Sequence, residues 1–187
     1  MGKKMYVEIS GERKLHEILK LMQSFVNKHE RVEYSSGIVY DANLKVLYAT
    51  DNKRLVYAYV KENLFYPIED IFGDNDLIVK YLPREKALVY YEAKKPYSCE
   101  RLVGEDISKR NCMRLDLTRH FAQYDYPMFY LKTGIYMNQR YLEGIKGWSW
   151  TVYFTDDKHD HVIFRCADEA VFVVIQPMCQ NRLEDRS

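Results

Sequence analysis

The chain has 187 residues, 47% hydrophobic and 29% charged, and its 28 basic and 27 acidic side chains leave a net charge of +1. This length predicts one domain or two small ones, and the composition excludes a disordered or low-complexity chain. The near-neutral charge argues against a protein that holds nucleic acid by bulk charge alone. The longest apolar run, 170–175, is far shorter than the ~20 residues of a membrane span.

The N-terminus predicts a protein of the cytoplasm. Lys3 and Lys4 are not followed by the apolar segment of a secretory signal. None of the four cysteines belongs to a CxxC pair, which excludes zinc-ribbon spacing and favours reduced thiols. We therefore expect no membrane partner.

The first sixty residues have a β-α-β-β-β pattern. Residues 5–9 predict a strand, and an apolar stripe predicts a helix over about 12–28, formed by Leu15, Ile18, Leu19, Met22 and Val26. The opposite, polar face of the helix is predicted to carry Arg13, His16, Glu17, Lys20 and Ser24. The β-rich stretch that follows has strands predicted at 31–34, 37–41, 45–50 and 54–60.

The middle of the chain is less regular. A helical turn is predicted at 67–72, a hairpin at 76–82 and 87–92, and a polar mobile stretch at 93–111. A strand is predicted at 112–117 and a helical turn at 118–124.

The last third repeats the first pattern. A strand is predicted at 134–137, then a short helix capped by Asn138 and closed by Gly147, then strands at 148–155, 161–166 and 170–177. We predict an α+β fold in which two β-α-β-β-β units place their helices on one face of curved antiparallel sheets.

Residues 25–60 resemble the opening half of a domain of the bacterial sliding DNA clamp, the beta subunit of the replicative DNA polymerase III. The family's ATDG-H-RL signature corresponds to Ala49-Thr50-Asp51-Asn52-Lys53-Arg54-Leu55, with Asn52 and Lys53 replacing its glycine and histidine. Residues 134–178 resemble the closing half of the last clamp domain, through the segments 136–138, 140–145, 152–156 and 172–178.

The resemblance implies a single clamp-like domain over 1–180. It divides into unit one at 5–60, a middle segment at 61–133 and unit two at 134–178, with a tail at 179–187. A family subunit has three such domains and closes a six-domain ring as a dimer. A ring built from this chain would need more copies, so we expect a homo-oligomer, and the other option is a shortened relative that keeps the fold without the ring.

The function implied is that of a non-enzymatic clamp on double-stranded DNA, acting as a replication processivity or partner-recruiting factor. The alternative is a clamp-fold interaction module that does not bind DNA. The candidate DNA-facing residues are Arg13, Lys14, Lys20, Arg140 and Lys146. These positions also fit an ordinary solvated helix face, because Glu12, Glu17 and Glu143 are interleaved with them.

The resemblance also implies a pocket for polymerase or other clamp-binding peptide motifs. Its candidate residues are Thr50, Arg54, Leu55, Val174, Pro177 and Met178. A hairpin turn together with sheet core explains the same positions, and Gln176 stands where an apolar residue would suit a pocket.

The sequence predicts neither a cofactor nor a metal site. His159-Asp160-His161 could ligate a metal, but a polar turn between strands is favoured. Cys112 and His120 could form a nucleophile and base, but no third group accompanies them and a buried cysteine is favoured. No phosphate-cradling glycine motif occurs. The 17 tyrosines are predicted to be half-buried sheet residues rather than base-stacking platforms.

Overall fold

The structure, a computed structural model, describes residues 4–9, 13–26, 37–60, 72–92, 99–117, 125–166 and 171–178. It has two compact units, Met1–Glu105 with Glu169–Val171, and Asp106–Asp168 with Phe172–Ser187. The single domain over 1–180 is not tested by this division and stays a prediction. The tail at 179–187 lies outside the described residues. None of the helices in the described ranges has both the length and the apolar character needed to cross a bilayer.

The described part of the first unit is an antiparallel sheet with a helix packed on it. Its described strands are β1 (Met5–Glu8), β2 (Ile38–Asp41), β3 (Val46–Thr50), β4 (Arg54–Tyr59), β5 (Leu77–Leu82) and β6 (Ala87–Glu92). They lie side by side in the order β1-β6-β5-β2-β3-β4. α1 (Arg13–Ser24) follows β1 in the chain and contacts β3 and β5. The predicted β-α-β-β-β order and the β5–β6 hairpin are therefore confirmed.

The core of the first unit lies between α1 and the sheet. Four residues of the predicted apolar stripe, Leu15, Ile18, Leu19 and Met22, are fully buried. The prediction that His16 lies on the polar face of α1 is wrong. The imidazole is buried, with Nδ1 2.7 Å from the Tyr81 hydroxyl on β5. Gln23 accepts the Tyr81 backbone N–H at 3.2 Å, so two polar groups of α1 are bonded to one residue of the sheet.

Tyrosines supply much of this sheet, as predicted, but several are fully buried rather than half-buried. Five of them, Tyr40, Tyr48, Tyr57, Tyr81 and Tyr90, are buried in its strands. Tyrosine fits a pleated surface well because its ring packs against cross-strand neighbours while the hydroxyl reaches a polar partner. The tyrosine excess therefore has a structural explanation in the first unit.

The second unit is an antiparallel sheet of four described strands in the order β10-β9-β8-β7. They are β7 (Asn111–Asp116), β8 (Ser149–Phe154), β9 (Val162–Cys166) and β10 (Val171–Ile175). Between β7 and β8 the chain forms α2 (Asp125–Thr133) and α3 (Gln139–Glu143), and α2 contacts β7. Among the described residues the largest fully buried side chain is Trp150, whose indole N–H donates to the Ile145 carbonyl at 3.2 Å.

Two predictions for the second unit are corrected. The strand predicted at 134–137 is wrong, because Gly134 closes α2 by donating its N–H to Tyr130 at 2.7 Å and residues 134–138 form no ladder. β7 stands instead as the strand before the helices, and two helices follow it, so the observed order of the described elements is β-α-α-β-β-β rather than the predicted β-α-β-β-β. The helix α2 was not predicted. The elements predicted at 31–34 and 118–124 lie outside the described residues, as does the turn predicted at 67–72 except for its last residue.

Candidate DNA-facing and partner-binding residues

The three basic candidates of the first unit lie on the exposed side of α1. Arg13, Lys14 and Lys20 are all exposed. Arg13 and Lys20, seven positions apart, share one stripe with Glu17, while Lys14 lies about 100° around the helix. The Arg13 guanidinium is paired with Glu17 at 2.9 Å, and its side chain is 92% exposed. This helix therefore presents basic groups to solvent, with one acid among them.

The two basic candidates of the second unit lie at α3 and just after it. Asn138 caps α3 by accepting the Arg140 backbone N–H at 3.0 Å, which fixes where the helix begins. Arg140 and Lys146 are both exposed, and Lys146 belongs to the turn that leads to β8. Each of these side chains is exposed at the surface of its own unit, where it can contact a phosphate.

The first three pocket candidates belong to the tight turn between β3 and β4. The Asp51 carboxylate accepts the backbone N–H groups of Lys53 and Arg54 at 3.1 and 2.8 Å, and the Thr50 hydroxyl donates to the Arg54 carbonyl at 2.8 Å. Asn52 has a φ of +67°, a conformation that asparagine tolerates better than other non-glycine residues. This explains how Asn52 can replace the glycine of the signature.

The Arg54 side chain is engaged within its own unit. Its guanidinium bonds the Asp51 carboxylate at 2.9 Å through both Nε and an Nη, and its Cζ lies 4.2 Å from the centre of the Phe25 ring. Only 12% of the side chain is exposed. Leu55 is buried and Thr50 is partly exposed. The turn is thus held by its own polar side chains, with little of Arg54 left at the surface.

The other three pocket candidates lie in and after β10 in the second unit. Val174 and Pro177 are buried, whereas Met178 is 38% exposed and donates its backbone N–H to Tyr136 at 2.8 Å. Gln176 is exposed, and its amide donates to the His159 carbonyl at 2.9 Å. Met178 is therefore the pocket candidate in this unit with a large exposed apolar surface.

The segment His159-Asp160-His161 lies in the turn between β8 and β9, as favoured from the sequence. His161 Nδ1 lies 2.9 Å from Asp160, and its Nε2 lies 3.1 Å from the guanidinium of Arg110. A guanidinium has donors only, so Nε2 is the accepting nitrogen and Nδ1 carries the hydrogen. That arrangement leaves no imidazole lone pair for a metal. Within the described ranges, no group of three or more His, Cys, Asp and Glu residues is placed to hold a metal.

Arg110 was not singled out from the sequence, although it organises this turn. Its side chain is 6% exposed, donates to the His161 carbonyl at 2.8 Å and pairs with Asp160 at 3.1 Å. The sequence separation of about fifty residues gave no signal of these contacts, which arise only because β7 and β9 flank β8.

The cysteine prediction is corrected. Cys112 is exposed and lies on β7, at the edge of the second sheet. Its suggested partner His120 lies outside the described residues. Cys99 and Cys166 are buried thiols outside any disulfide, as expected for a reduced chain.

No protein-family profile matches the chain, and no curated protein matches it by sequence. Solved structures do match. A putative DNA polymerase III beta subunit from Eubacterium rectale has a TM-score of 0.58 and 10% identity, covering 96% of this chain and 66% of that one. The sliding clamp of Bartonella birtlesii bound to griselimycin has a TM-score of 0.53 and 14% identity, covering 94% and 66%. The Helicobacter pylori beta clamp bound to a DNA ligase peptide has a TM-score of 0.55 and 10% identity, covering 96% and 66%.

These similarities identify the fold. The chain has an α+β fold like that of the DNA polymerase III beta sliding clamps, which confirms the resemblance and the fold class predicted from the sequence. The match spans about two thirds of the length of the clamp chains. At 10–14% identity the likeness concerns the backbone and does not assign the DNA-facing or pocket residues.

Proposed function

We propose that this chain is a non-enzymatic, clamp-like protein of the cytoplasm that assembles from several copies on double-stranded DNA and recruits a partner there. The observation that carries the proposal is the structural likeness to sliding clamps over almost the whole chain. A clamp works by enclosure and recruitment, so it needs no catalytic group.

The basic helix residues support the DNA part of the proposal. Arg13, Lys14 and Lys20 on α1, and Arg140 and Lys146 at α3, are all exposed and able to neutralise phosphates without reading sequence. The +1 net charge is compatible with this role, because an enclosing assembly retains DNA even when each contact is weak. Because the chain carries almost no net charge, the basic residues that contact DNA must be concentrated on one part of its surface.

The recruitment part rests on the surface around Met178. A flexible thioether side chain, 38% exposed, is the type of group that adapts to apolar anchors of different peptides. A Helicobacter pylori clamp has been solved with a DNA ligase peptide bound. By analogy we propose that a short peptide motif of a polymerase or another DNA-processing protein packs against Met178, with Val174 and Pro177 forming the floor beneath it.

A second candidate function is a clamp-fold interaction module that does not bind DNA. The ion pair between Arg13 and Glu17, which offsets one of the three basic groups of α1, favours it. The two candidates differ in one measurable property, the retention of DNA.

Retention on circular DNA tests the proposal. The chain is incubated with a nicked circular plasmid, washed at high salt, and the bound fraction is compared before and after the plasmid is linearised. Enclosure predicts binding that survives the salt wash and is released when the circle is cut. Binding that is lost in salt and does not depend on DNA topology contradicts enclosure, because simple phosphate contacts weaken steeply with salt. The absence of binding at low salt supports the interaction module.

A further inference from the structure

The second sheet has one face covered by α2 and α3 and an opposite face with charged and aromatic side chains. Phe154 of β8 packs edge to face on Phe129 of α2, with ring centres 6.2 Å apart, and Trp150 is hydrogen-bonded to the segment that follows α3. Successive residues of a strand point to opposite faces, so Thr151 and Tyr153 lie on the side away from these helices. We call this side of the second sheet its outer face.

Four residues form one continuous row across the outer face. Arg114 of β7 lies opposite Thr151 of β8, which in turn lies opposite Arg165 of β9. Phe172 of β10 lies opposite Arg165, and its ring centre is 5.8 Å from the guanidinium carbon. Neighbouring strands are about 4.8 Å apart, so the backbones that carry the two arginines are roughly 10 Å apart. The row therefore has two positive charges with a small polar side chain between them.

The charge of this row favours an anionic partner. Arg114 and Arg165 are both exposed, and within the ranges that the structure describes neither forms an ion pair. Asp116, two positions along β7 from Arg114, is the one acidic residue among the described outer-face positions of the four strands. A guanidinium matches phosphate through two parallel hydrogen bonds, and the ring of Phe172 helps to hold that of Arg165 in place.

A tyrosine ring beside the row distinguishes between anionic partners. Tyr153 is partly exposed and lies two positions from Thr151 on the same face of β8. An aromatic ring next to arginines allows an unpaired base to stack while the phosphates are neutralised. Duplex DNA presents phosphates, but its base faces are already stacked. An acidic peptide offers negative charge without the flat π-face of a base. The combination is therefore typical of a surface for single strands.

We propose that the outer face of the second sheet binds single-stranded nucleic acid, with phosphates on Arg114 and Arg165 and a base stacked on Tyr153. None of these three residues is among those to which the proposed function assigns duplex DNA or a peptide. The inference therefore goes beyond that function, and either can fail alone. DNA and RNA share the phosphates and the bases, so oligothymidylate and oligouridylate are the two probes.

The salt dependence of binding tests the arginines. Fluorescence anisotropy with a labelled, twenty-nucleotide oligothymidylate gives the Kd at several salt concentrations. Arg114→Ala/Arg165→Ala should raise the Kd about tenfold or more at low salt, because it removes two charge-assisted contacts. It should also lower the slope of log K against log salt by about 1.4, since each phosphate contact of a single strand contributes about 0.7.

A matched control separates the site from the overall charge. Lys53→Ala/Arg84→Ala removes the same two positive charges at exposed turn positions of the first unit and should change the Kd little. Equal losses in the two double variants overturn the site, and so does the absence of oligothymidylate binding to the wild type at low salt. A hairpin duplex should bind the wild type and the Arg114→Ala/Arg165→Ala variant alike, and a loss equal to that of oligothymidylate contradicts the preference for single strands.

Oligouridylate identifies the source of the strand. If the Arg114→Ala/Arg165→Ala variant loses affinity for both oligonucleotides, the shared chemistry is supported. A loss confined to oligouridylate overturns the DNA form of the site and assigns it to RNA.

Substitution of the tyrosine tests base stacking separately from charge. Tyr153→Leu should raise the Kd for oligothymidylate about tenfold, because stacking on an aromatic ring contributes about 1–3 kcal/mol per base. It should leave the salt slope unchanged, since no phosphate contact is lost. Tyr153→Phe keeps the ring and should bind as the wild type does, which shows that the effect does not come from loss of folding. Wild-type affinity of Tyr153→Leu contradicts stacking.

Cys112 provides a native reporter of direct contact. It lies opposite Tyr153 in the ladder between β7 and β8 and is exposed, whereas Cys99 and Cys166 are buried. In a Cys179→Ser background, saturating oligothymidylate should slow the alkylation of Cys112 by a maleimide severalfold. An equal concentration of the hairpin duplex should leave the rate unchanged. Alkylation that is not slowed by saturating oligothymidylate places the strand elsewhere on the protein and overturns the proposal.

Discussion

The guanidinium carbon of Arg54 lies 4.2 Å from the centre of the Phe25 ring. Phe25 follows α1 and is fully buried, and Arg54 opens β4, so the contact joins the end of the helix to the start of a strand. On its other side the guanidinium is bonded to Asp51. Arg54 thus acts first as a structural residue of its unit, and only a small part of it remains for a partner.

Replacing Arg54 should therefore destabilise the protein. Arg54→Ala removes a charge-assisted hydrogen bond and a cation–π contact and leaves the Asp51 carboxylate, 21% exposed, without its main partner. We expect the free energy of unfolding to fall by about 2–3 kcal/mol, measured by urea denaturation. Arg13→Ala is the matched control, because it breaks an exposed arginine–carboxylate pair and should cost no more than about 0.5 kcal/mol. Equal effects of the two variants would contradict the structural role of Arg54.

The bond between His16 and Tyr81 gives a second stability prediction. The Tyr81 hydroxyl is held in a buried contact with His16 Nδ1 at 2.7 Å, and burial raises the pKa of Tyr81. Tyr81→Phe keeps the ring but leaves a buried imidazole nitrogen with one hydrogen bond fewer, which should cost about 1–3 kcal/mol in thermal or urea unfolding. Tyr6→Phe removes a hydroxyl from an exposed ring and should change the stability little. A neutral Tyr81→Phe would show that His16 is satisfied by another group.

The fold could be predicted where hydrophobic period and turn chemistry agree. The stripe of α1 and the hairpin across 83–86 are such cases. The failure at 134–137 is instructive, because Ile135 and Met137 are buried in alternation, as in a strand, yet form no ladder. Burial has the period of a strand there, and Tyr136 accepts the Met178 backbone N–H at 2.8 Å, but this bond is not extended into a ladder. α2 was missed because Pro127 argues against a helix, although in the first turn its missing N–H would have had no helical partner.

The environment of a candidate-site residue could be predicted only where the local sequence determines it. Exposure of Arg13, Lys14 and Lys20 follows from the helical period. The contact of Arg54 with Phe25 does not, because the two residues are 29 positions apart and meet only after α1 packs on the sheet. Cys112 is exposed on β7, at a sheet edge, which no local pattern reveals.

Alkaline pH should destabilise the first unit through its buried tyrosines. Burial raises the pKa of Tyr48 and Tyr57 well above the ordinary value of 10.0. Both hydroxyls stay protonated in the folded chain while they ionise in the unfolded one, so stability is fully present below pH 10 and is lost as the pH rises above it. One unit above 10, each tyrosine should cost about 1.4 kcal/mol. Tyr57→Phe should make the fall in melting temperature less steep than in the wild type, and identical slopes would contradict the assignment.

Reversing the basic residues of α1 separates the two candidate functions. The triple variant Arg13→Glu/Lys14→Glu/Lys20→Glu changes only exposed side chains, so we expect its melting temperature to change little. If α1 faces DNA, binding should weaken at every salt concentration and the slope of log K against log salt should fall by about three, one for each lost phosphate contact. The matched control Lys53→Glu/Lys80→Glu/Arg84→Glu makes the same change in net charge at exposed positions of the sheet and its turns. If both variants lose DNA affinity equally, binding depends on the overall charge of the protein alone. A specific DNA-facing helix requires the α1 variant to lose more affinity than the control variant.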